Sequence, residues 1–295
     1  MNFKCLFVLF ALLSPCPPCL RGETPSLADR LAPLAKAHQG KVAIAVRHLG
    51  TGEEYALNAD ESLPTASLIK FPVMVETYHQ FAAGRVRPTD LVILQKADMV
   101  QGAGILTQHF SPGATFTVRD SVRLMIAYSD NTATNLVLDH IGIPSTNDRM
   151  VGLGLPNTRI HAKVFRGSTT SIDPARTKKY GLGSTTANEM LRLLELLHAG
   201  KLVSPKACEE MTAHLKKCED PDKFPKLLPH GTVVAMKTGS VSDARTAAGI
   251  IYVKKDPVAV CVLTDENKDQ SWTPDNASNL LCAKVAKEVY DHFHK

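Results

Sequence analysis

The chain has 295 residues, of which 44% are hydrophobic and 21% are charged, and its formal net charge is +5. This composition is typical of a soluble globular protein with one large domain or two interlocked domains. The charge is small, and the basic residues form no clustered stripe, so a nucleic acid is not an expected partner.

The first 22 residues have the pattern of a secretory signal peptide. A short basic start precedes an apolar run from Cys5 to Leu13, which is too short to cross a bilayer because a spanning helix needs about 20 residues. We expect cleavage near Gly22 or Glu23 and a mature protein that is secreted or periplasmic, with no transmembrane segment. Lipid attachment at Cys16 is the alternative, although the proline before it departs from the small residue expected there.

The cysteines form two groups. Cys5, Cys16 and Cys19 lie in the expected signal peptide, so the C-P-P-C spacing does not indicate a metal or redox motif. The later cysteines are Cys208, Cys218, Cys261 and Cys282. They could form up to two disulfides in an exported protein, but no histidine is spaced with them as a zinc site needs, and we expect free, buried thiols.

Hydrophobic periodicity divides the chain into a helical middle and strand-rich ends. Helices are predicted at residues 24–39, between Thr65 as a cap and Gly84, from 117 to about 129, and at 133–141, 147–153, 186–198, 204–217 and 274–292. Strands are predicted at residues 41–47, 54–57, 232–237, 247–253 and 258–263. Residues 91–104 and 157–183 lack clean periodicity and are expected to be loops, and a loop as long as the second is more often functional than idle.

This order of elements is not the alternation of a parallel βαβ sheet. We predict an α+β fold in which an antiparallel sheet of about five strands, built from both chain ends, is flanked by helices. The mature domain would span residues 23–295. Its α/β part would comprise residues 23–62 and 218–295, and an inserted helical part residues 63–217.

The segment from Pro64 to Pro72 places a hydroxyl and an amine three residues apart at the start of a helix. Residues with this spacing share a helix face, so the Lys70 amine can reach the Ser67 hydroxyl. A serine is a poor nucleophile until a neighbouring group takes its proton, and Lys70 is a candidate for that task. Chance alone yields roughly one S-x-x-K per chain of this length, so an ordinary capped helix would also explain the pattern.

Two further motifs follow in the chain. Ser129-Asp130-Asn131 lies between two predicted helices, and Lys237-Thr238-Gly239-Ser240 ends the first late strand. Each could be purely structural, as a helix cap or as a strand that runs into a turn. All three motifs in this order would arise by chance in fewer than about one chain in a hundred.

With these motifs the chain resembles the class A β-lactamases and their relatives, the penicillin-binding DD-peptidases. Leu228-Pro-His-Gly231 and the segment from Ser184 to Met190 also resemble parts of that family, and the resemblance covers residues 24–293. It implies a β-lactamase/transpeptidase-like fold, no cofactor and no metal. The expected substrate is a small β-lactam or a peptidoglycan stem peptide, and the expected oligomeric state is a monomer.

The resemblance implies catalytic roles for three residues. Ser67 would attack the carbonyl of a strained lactam or of a D-alanyl amide. Lys70 would take or relay the serine proton. Ser129 would pass a proton to the departing nitrogen.

The resemblance also implies how the substrate would be bound. Asn131 would hold the side-chain amide of the substrate, while Lys237 and Thr238 would face its carboxylate, which suits a cation beside a hydroxyl. The backbone N–H groups of the nucleophilic serine and of Ser240 would form the oxyanion hole. Gly239 would let the substrate come close to the strand.

One departure from the class A pattern concerns release of the acyl group. Class A enzymes carry a Glu-x-x-Leu-Asn motif after Ser-Asp-Asn, and its glutamate activates the releasing water. The corresponding stretch, Arg159 to Asp173, contains no glutamate. Apart from lysine and arginine, only His161 and Asp173 could act as acid or base there, and each is more often a loop-bracing residue. Arg245 is the best-placed equivalent of the carboxylate-binding arginine that often follows the K-T-G strand.

Three functions remain open. The first is a serine β-lactamase-like hydrolase that is acylated on Ser67. The second is a penicillin-binding DD-peptidase acting on stem peptides, for which the absent glutamate is normal. The third is a sensor or binding module that is acylated and stays so, and no signalling domain or membrane span accompanies it in the sequence.

Overall fold

The computed structural model describes residue 1 and residues 25–294. The rest of the expected signal peptide lies outside the described residues, as do its cleavage point and Cys5, Cys16 and Cys19. Within the described part of the chain, no helix combines the length and the hydrophobicity that crossing a bilayer requires.

The strands pair into one large sheet and two small ones. In chain order they are β1 Lys41–His48, β2 Glu54–Leu57, β3 Leu63–Pro64, β4 Leu91–Ile93, β5 Thr115–Thr117, β6 Arg159–Ile160, β7 Gly183–Thr185, β8 Val234–Ser240, β9 Arg245–Ile251 and β10 Val258–Asp265. The large sheet has the order β2-β1-β10-β9-β8, and all its pairs are antiparallel. The predicted α+β fold, with a five-stranded antiparallel sheet assembled from both chain ends, is confirmed.

The helices cover both faces of this sheet. In chain order they are α1 Leu27–Ala37, α2 Lys70–Ala82, α3 Leu106–His109, α4 Val118–Ala127, α5 Asn131–Ile141, α6 Ile143–Gly152, α7 Gly167–Thr170, α8 Pro174–Tyr180, α9 Ala187–His198, α10 Pro205–Leu215 and α11 Ala277–Phe293. Short 3₁₀ helices lie at Ala66–Ile69, Lys96–Asp98 and Phe224–Leu227. The predicted helices are present with ends that shift by a few residues, and residues 157–183 also contain α7 and α8.

Alternation along β1 separates two hydrophobic cores. Ile44 and Val46 face the core shared with α1 and α11, whereas Ala43 and Ala45 face the core of the helical block. Because both faces are covered, the inner strands are apolar almost throughout, and β9 is buried at every residue. The block therefore lies against the opposite face of the sheet from α1 and α11.

Three local expectations are wrong. Residues 91–93 and 159–160 form strands, which pair with β5 and β7, in stretches predicted to be loops. Strands of two or three residues are too short to show periodicity.

Thr65 makes no side-chain cap, because a 3₁₀ turn comes before α2. The four cysteines of residues 25–294 are unpaired as expected, but Cys218 is partly exposed, because α10 ends three residues before it.

Candidate active site

Ser67 lies in the 3₁₀ turn between β3 and α2. Both neighbouring sheets hold this turn, because the N–H of Thr65 donates to the carbonyl of Gly183 at 2.9 Å and the hydroxyl of Thr246 donates to the carbonyl of Thr65 at 2.8 Å. Ala66 has a φ of +45°, a left-handed conformation that is uncommon outside glycine. The surrounding structure therefore fixes the position of Ser67 against the sheet.

Gly239 is the point of closest approach between β8 and this turn. A Cβ at Gly239 would lie 2.5 Å from the carbonyl oxygen of Thr65 and 2.7 Å from the backbone nitrogen of Ser67. No other residue fits there without moving one of the two backbones. Thr238 and Ser240, the neighbours of Gly239, line the same cavity as Ser67.

The Ser-Asp-Asn motif connects α4 to α5. The buried carboxylate of Asp130 accepts the N–H of Ala133 at 2.8 Å and so caps α5, and it also accepts the N–H groups of Ile105 and Leu106 at 2.7 and 2.8 Å. Ser129 has a φ of +52°. Asp130 thus holds the preceding loop, while the adjacent Ser129 is held in a left-handed conformation.

A hydrogen-bond network joins the three motifs. Lys70 Nζ donates to the carbonyl oxygen of Ser129 at 2.6 Å and to Asn131 Oδ1 at 2.8 Å, and it lies 3.2 Å from Ser129 Oγ. Lys237 Nζ lies 3.1 Å from the same Ser129 Oγ and 2.8 Å from the carbonyl oxygen of Thr238. Among the described residues no hydrogen bond joins Lys70 to Ser67. The amine is directed to Ser129 instead.

Both lysines of this network are buried, and both have lowered pKa values. Burial and then the charge of Lys237 lower the pKa of Lys70 far below its ordinary 10.5, against the opposing influence of Asp130 and Cys218. Burial likewise lowers the pKa of Lys237, while Cys218 and Asp220 raise it. The shift at Lys70 favours the neutral amine, which is the form that can accept a proton.

Two charged residues that the sequence analysis missed flank the K-T-G strand. Buried Lys223 donates to Asp220 Oδ2 at 2.7 Å and to Ser240 Oγ at 3.0 Å. Burial raises the pKa of Asp220, but the Lys223 charge and the hydrogen bonds from Lys223 and Thr238 together lower it by more. The pKa is therefore below its ordinary value, and the carboxylate stays ionised. In the sequence these two residues are visible only as opposite charges three positions apart, a spacing that is common on protein surfaces.

Ser67 opens onto two adjoining cavities. The larger, of about 340 Å³, is lined by residues of all three motifs together with Cys218, Asp220 and Trp272. The smaller, of about 260 Å³, separates Ser67 from residues 162–182. Its apolar lining residues are Ala66, Ala162, Val164, Phe165, Leu182 and Val241. The wall opposite Ser67 is therefore largely apolar.

Val164 is held in this wall by Asn135. The side-chain amide of Asn135 donates to the carbonyl oxygen of Val164 at 3.0 Å and accepts its N–H at 2.8 Å. Both backbone polar groups of Val164 are thereby paired, and its side chain contributes to the wall of the smaller cavity. The loop thus presents an apolar residue to Ser67 from a fixed position.

The structure does not bring His161 or Asp173 to Ser67. His161 is buried, lies 3.2 Å from Ser184 Oγ, and has its pKa lowered to about 4 by burial and then by Arg176. Asp173 caps α8 by accepting the N–H of Arg176 at 3.0 Å. Neither residue lines the two cavities beside Ser67. Both brace the loop.

Arg245 pairs with Ser240 in the register of β8 and β9, but its side chain is directed to other groups. Its guanidinium donates to the carbonyl oxygens of Ala244 at 3.1 Å and Ser271 at 2.9 Å, and it lies 4.6 Å from the centre of the Trp272 ring. It lines neither cavity beside Ser67. The cation that hydrogen-bonds to Ser240 Oγ is Lys223, at 3.0 Å, and these contacts give no support to Arg245 as the carboxylate ligand.

Residues 26–293 match the family model of the β-lactamase enzyme family. The chain belongs to this family. It is 24% identical over 282 residues to the extended-spectrum β-lactamase PER-1 of Pseudomonas aeruginosa, which covers 91% of this chain and 87% of that protein. The crystal structure of a β-lactamase from Sphaerobacter thermophilus matches with a TM-score of 0.79 and 27% identity, over 90% of this chain and 96% of that one. The predicted resemblance and the β-lactamase-like serine hydrolase are confirmed.

Another similar β-lactamase-family fold is that of PBP-A. Its structure matches with a TM-score of 0.78 and 22% identity, over 90% of this chain and 95% of that one. A PBP-A variant with glutamate in place of one leucine was solved as an acyl-enzyme complex with penicillin G, and it matches with a TM-score of 0.77. At this identity the likeness concerns the fold alone.

Proposed function

We propose that this member of the β-lactamase family is an exported serine hydrolase that opens β-lactam amides through an acyl-enzyme on Ser67. The observation that carries the proposal is the pair of lysines around Ser129. Lys70 and Lys237 lie 3.2 and 3.1 Å from its hydroxyl oxygen, beside the turn that holds Ser67. This arrangement provides a base, a proton relay and a cation in one cavity.

Acylation begins with attack of Ser67 Oγ on the lactam carbonyl carbon. The hydroxyl proton passes to the neutral amine of Lys70, whose lowered pKa makes that form available. The new C–O bond leaves negative charge on the carbonyl oxygen, which the backbone N–H groups of Ser67 and Ser240 stabilise. Loss of one such donor typically slows the reaction by about 10²–10³.

Ring opening breaks the C–N bond and requires a proton on the departing nitrogen. Ser129 supplies this proton and regains one from the ammonium of Lys70, which lies 3.2 Å away. Lys70 then returns to its neutral form. Lys237, hydrogen-bonded to the same oxygen, stabilises the negative charge that develops on Ser129 during the transfer.

Substrate binding uses the remaining motif residues. Asn131 holds the side-chain amide of the substrate, and Lys237 with Thr238 binds its carboxylate. The catalytic domain is residues 23–295, with residues 23–62 and 218–295 as the α/β part and residues 63–217 as the helical part. Export follows from the basic and apolar pattern of residues 1–22, and N-terminal sequencing of protein recovered from outside the cytoplasm tests it.

A second candidate function is that of a penicillin-binding DD-peptidase. The apolar wall opposite Ser67 favours it, because none of the residues of 162–182 that line this cavity has a carboxylate to activate a releasing water. In this case Ser67 attacks the amide between two D-alanines of a stem peptide, and the terminal D-alanine is the leaving group. A β-lactam would then form an acyl-enzyme that hydrolyses slowly.

Two measurements on the mature protein separate these functions. Intact mass spectrometry with penicillin reports the acyl-enzyme, and a chromogenic cephalosporin reports turnover. Fast turnover without a lasting adduct supports the β-lactamase. A lasting adduct together with release of D-alanine from a stem peptide supports the peptidase, and an adduct without such release supports a sensor. If Ser67→Ala leaves both labelling and turnover unchanged, the acyl-enzyme proposal is wrong.

A further inference from the structure

Trp272 is the only tryptophan of the chain, and it lies at the mouth of the Ser67 cavity. It is 69% exposed, the largest value among the large hydrophobic residues of the described part apart from residue 1. A large aromatic side chain contributes most to stability when it is buried. Its exposure beside the reacting groups therefore suggests a role in binding.

Arg245 supports one face of the indole ring. The guanidinium carbon lies 4.6 Å from the ring centre. The guanidinium itself is held by the carbonyl oxygen of Ser271, the residue before Trp272, at 2.9 Å, and that oxygen also accepts from Asn276 Nδ2 at 3.0 Å. A buried cation thus covers one face of the ring, while the side chain as a whole remains 69% exposed and lines the cavity.

The position of Trp272 within the cavity indicates which part of a substrate it meets. It lines the same 340 Å³ space as Lys237 and Thr238, the residues proposed to bind the carboxylate, and Arg245, which contacts its ring, is the β9 partner of Ser240 at the end of the same strand. In a β-lactam the carboxylate is carried by a carbon that is bonded to the lactam nitrogen. This nitrogen is the leaving atom when the ring opens. Trp272 therefore flanks the leaving-group side of the substrate, whereas Val164 and the smaller cavity flank the other side.

We propose that Trp272 determines specificity by stacking on a flat aryl or heteroaryl substituent next to the carboxylate-bearing carbon of a β-lactam. This inference rests on the proposed function of the Ser67 site. In cephalosporins a ring substituent occupies that neighbouring carbon, so it extends along the wall that Trp272 forms. A methyl group at the same position offers no face for stacking. The enzyme therefore prefers cephalosporins with an aromatic substituent there.

The kinetic test compares two cephalosporins with the same acyl side chain, one with a phenyl and one with a methyl substituent beside the carboxylate. The second-order rate constant for acylation is measured by mass spectrometry for the unaltered protein, Trp272→Ala and Trp272→Phe. We expect Trp272→Ala to lower the phenyl-to-methyl ratio about three- to tenfold, as loss of one aromatic stack predicts. Trp272→Phe keeps most of the ratio. Circular dichroism confirms that the variants are folded.

A binding test uses the single tryptophan as its own reporter. In Ser67→Ala, which cannot be acylated, the phenyl compound quenches the fluorescence of Trp272 in a saturable manner, and the methyl compound does so weakly or not at all. Equal losses for both compounds in Trp272→Ala, or no quenching by the phenyl compound, would overturn the inference. If acylation of Ser67 occurs without this discrimination, only the role of Trp272 fails. If neither compound labels Ser67, the proposed function fails, and the quenching measurement still decides whether Trp272 binds the aryl group.

Discussion

Lys70 Nζ and Lys237 Nζ lie 3.2 and 3.1 Å from the same atom, the hydroxyl oxygen of Ser129. Two ammonium groups on one buried oxygen would repel each other, and the neutral form of Lys70 removes that repulsion. A neutral amine has two N–H groups, which match the backbone carbonyl oxygen of Ser129 and the side-chain Oδ1 of Asn131 at 2.6 and 2.8 Å. Its lone pair remains available to accept a proton, so these contacts are compatible with a neutral Lys70.

The first prediction concerns the pH dependence of acylation. Lys237→Ala removes a positive charge that lowers the pKa of Lys70, so this pKa rises. Protonated Lys70 cannot accept the proton of Ser67, and the base is therefore lost at a higher pH in the variant. We expect the acidic limb of the profile of acylation rate against pH, measured with a neutral ester, to move to higher pH.

The control for this experiment is Lys223→Met. Lys223 is a buried lysine that hydrogen-bonds to Asp220 and Ser240, two residues of the larger cavity, but it is not among the groups that shift the pKa of Lys70. The acidic limb should stay in place in that variant. A limb that stays in place, or moves to lower pH, in Lys237→Ala would contradict the assignment of Lys70 as the base.

The second prediction concerns the substrate carboxylate. Lys237→Ala should slow acylation by carboxylate-bearing β-lactams about 10- to 100-fold more than acylation by neutral esters, since a hydrogen bond to a charged group contributes roughly 1.5–3 kcal/mol. Rate constants for a penicillin and for its methyl ester provide the comparison. Equal losses for the two compounds would refute the role of Lys237 in carboxylate binding.

The third prediction concerns release of the acyl group. Val164→Glu places a carboxylate in the wall opposite Ser67, where it can activate a water. We expect the acyl-enzyme to hydrolyse at least about tenfold faster, up to the limit of about 10²–10⁴-fold that an optimally placed general base provides. The decay of the penicillin adduct is followed by mass spectrometry.

Val164→Gln is the matched variant, because glutamine has nearly the same size and shape but cannot act as a base. Its adduct should decay at about the rate of the unaltered protein. If Val164→Glu and Val164→Gln release the acyl group equally fast, the missing carboxylate is not what limits release.

The fourth prediction concerns the close approach of β8 to Ser67. In Gly239→Ala the new Cβ would lie 2.5 Å from the Thr65 carbonyl and 2.7 Å from the Ser67 nitrogen. The two backbones must separate, so the free energy of unfolding should fall by about 1–3 kcal/mol, and acylation should slow at least tenfold because the oxyanion hole is distorted. Urea denaturation and penicillin labelling measure the two effects.

Gly152→Ala is the control for this substitution. A Cβ at Gly152, at the end of α6, has no neighbouring atom within 4 Å and no positive φ. Stability should be unchanged or slightly higher there, since alanine favours a helix over glycine. Normal acylation in Gly239→Ala would show that the approach of β8 is not needed for the reaction.

Most of the fold could be predicted from the sequence, because helices and long strands are encoded by local periodicity. The β-branched runs at both chain ends predicted the antiparallel sheet, and the apolar spacing predicted the main helices. The short strands β4 and β6 were missed, since two or three residues carry no periodic signal. The 3₁₀ turn before α2 was also missed, because it depends on contacts of Thr65 with β7 and β9.

The sequence by itself determined the three motifs, the elements that carry them and the absence of a glutamate between Arg159 and Asp173. Only the tertiary structure decided that Lys70 is directed to Ser129 and that Val164 lines the cavity beside Ser67. These contacts join residues far apart in the chain, such as Lys237 and Ser129, which are separated by 108 positions. Local spacing specifies which residues share a helix face, but the packing of separate segments decides which groups meet across a cavity.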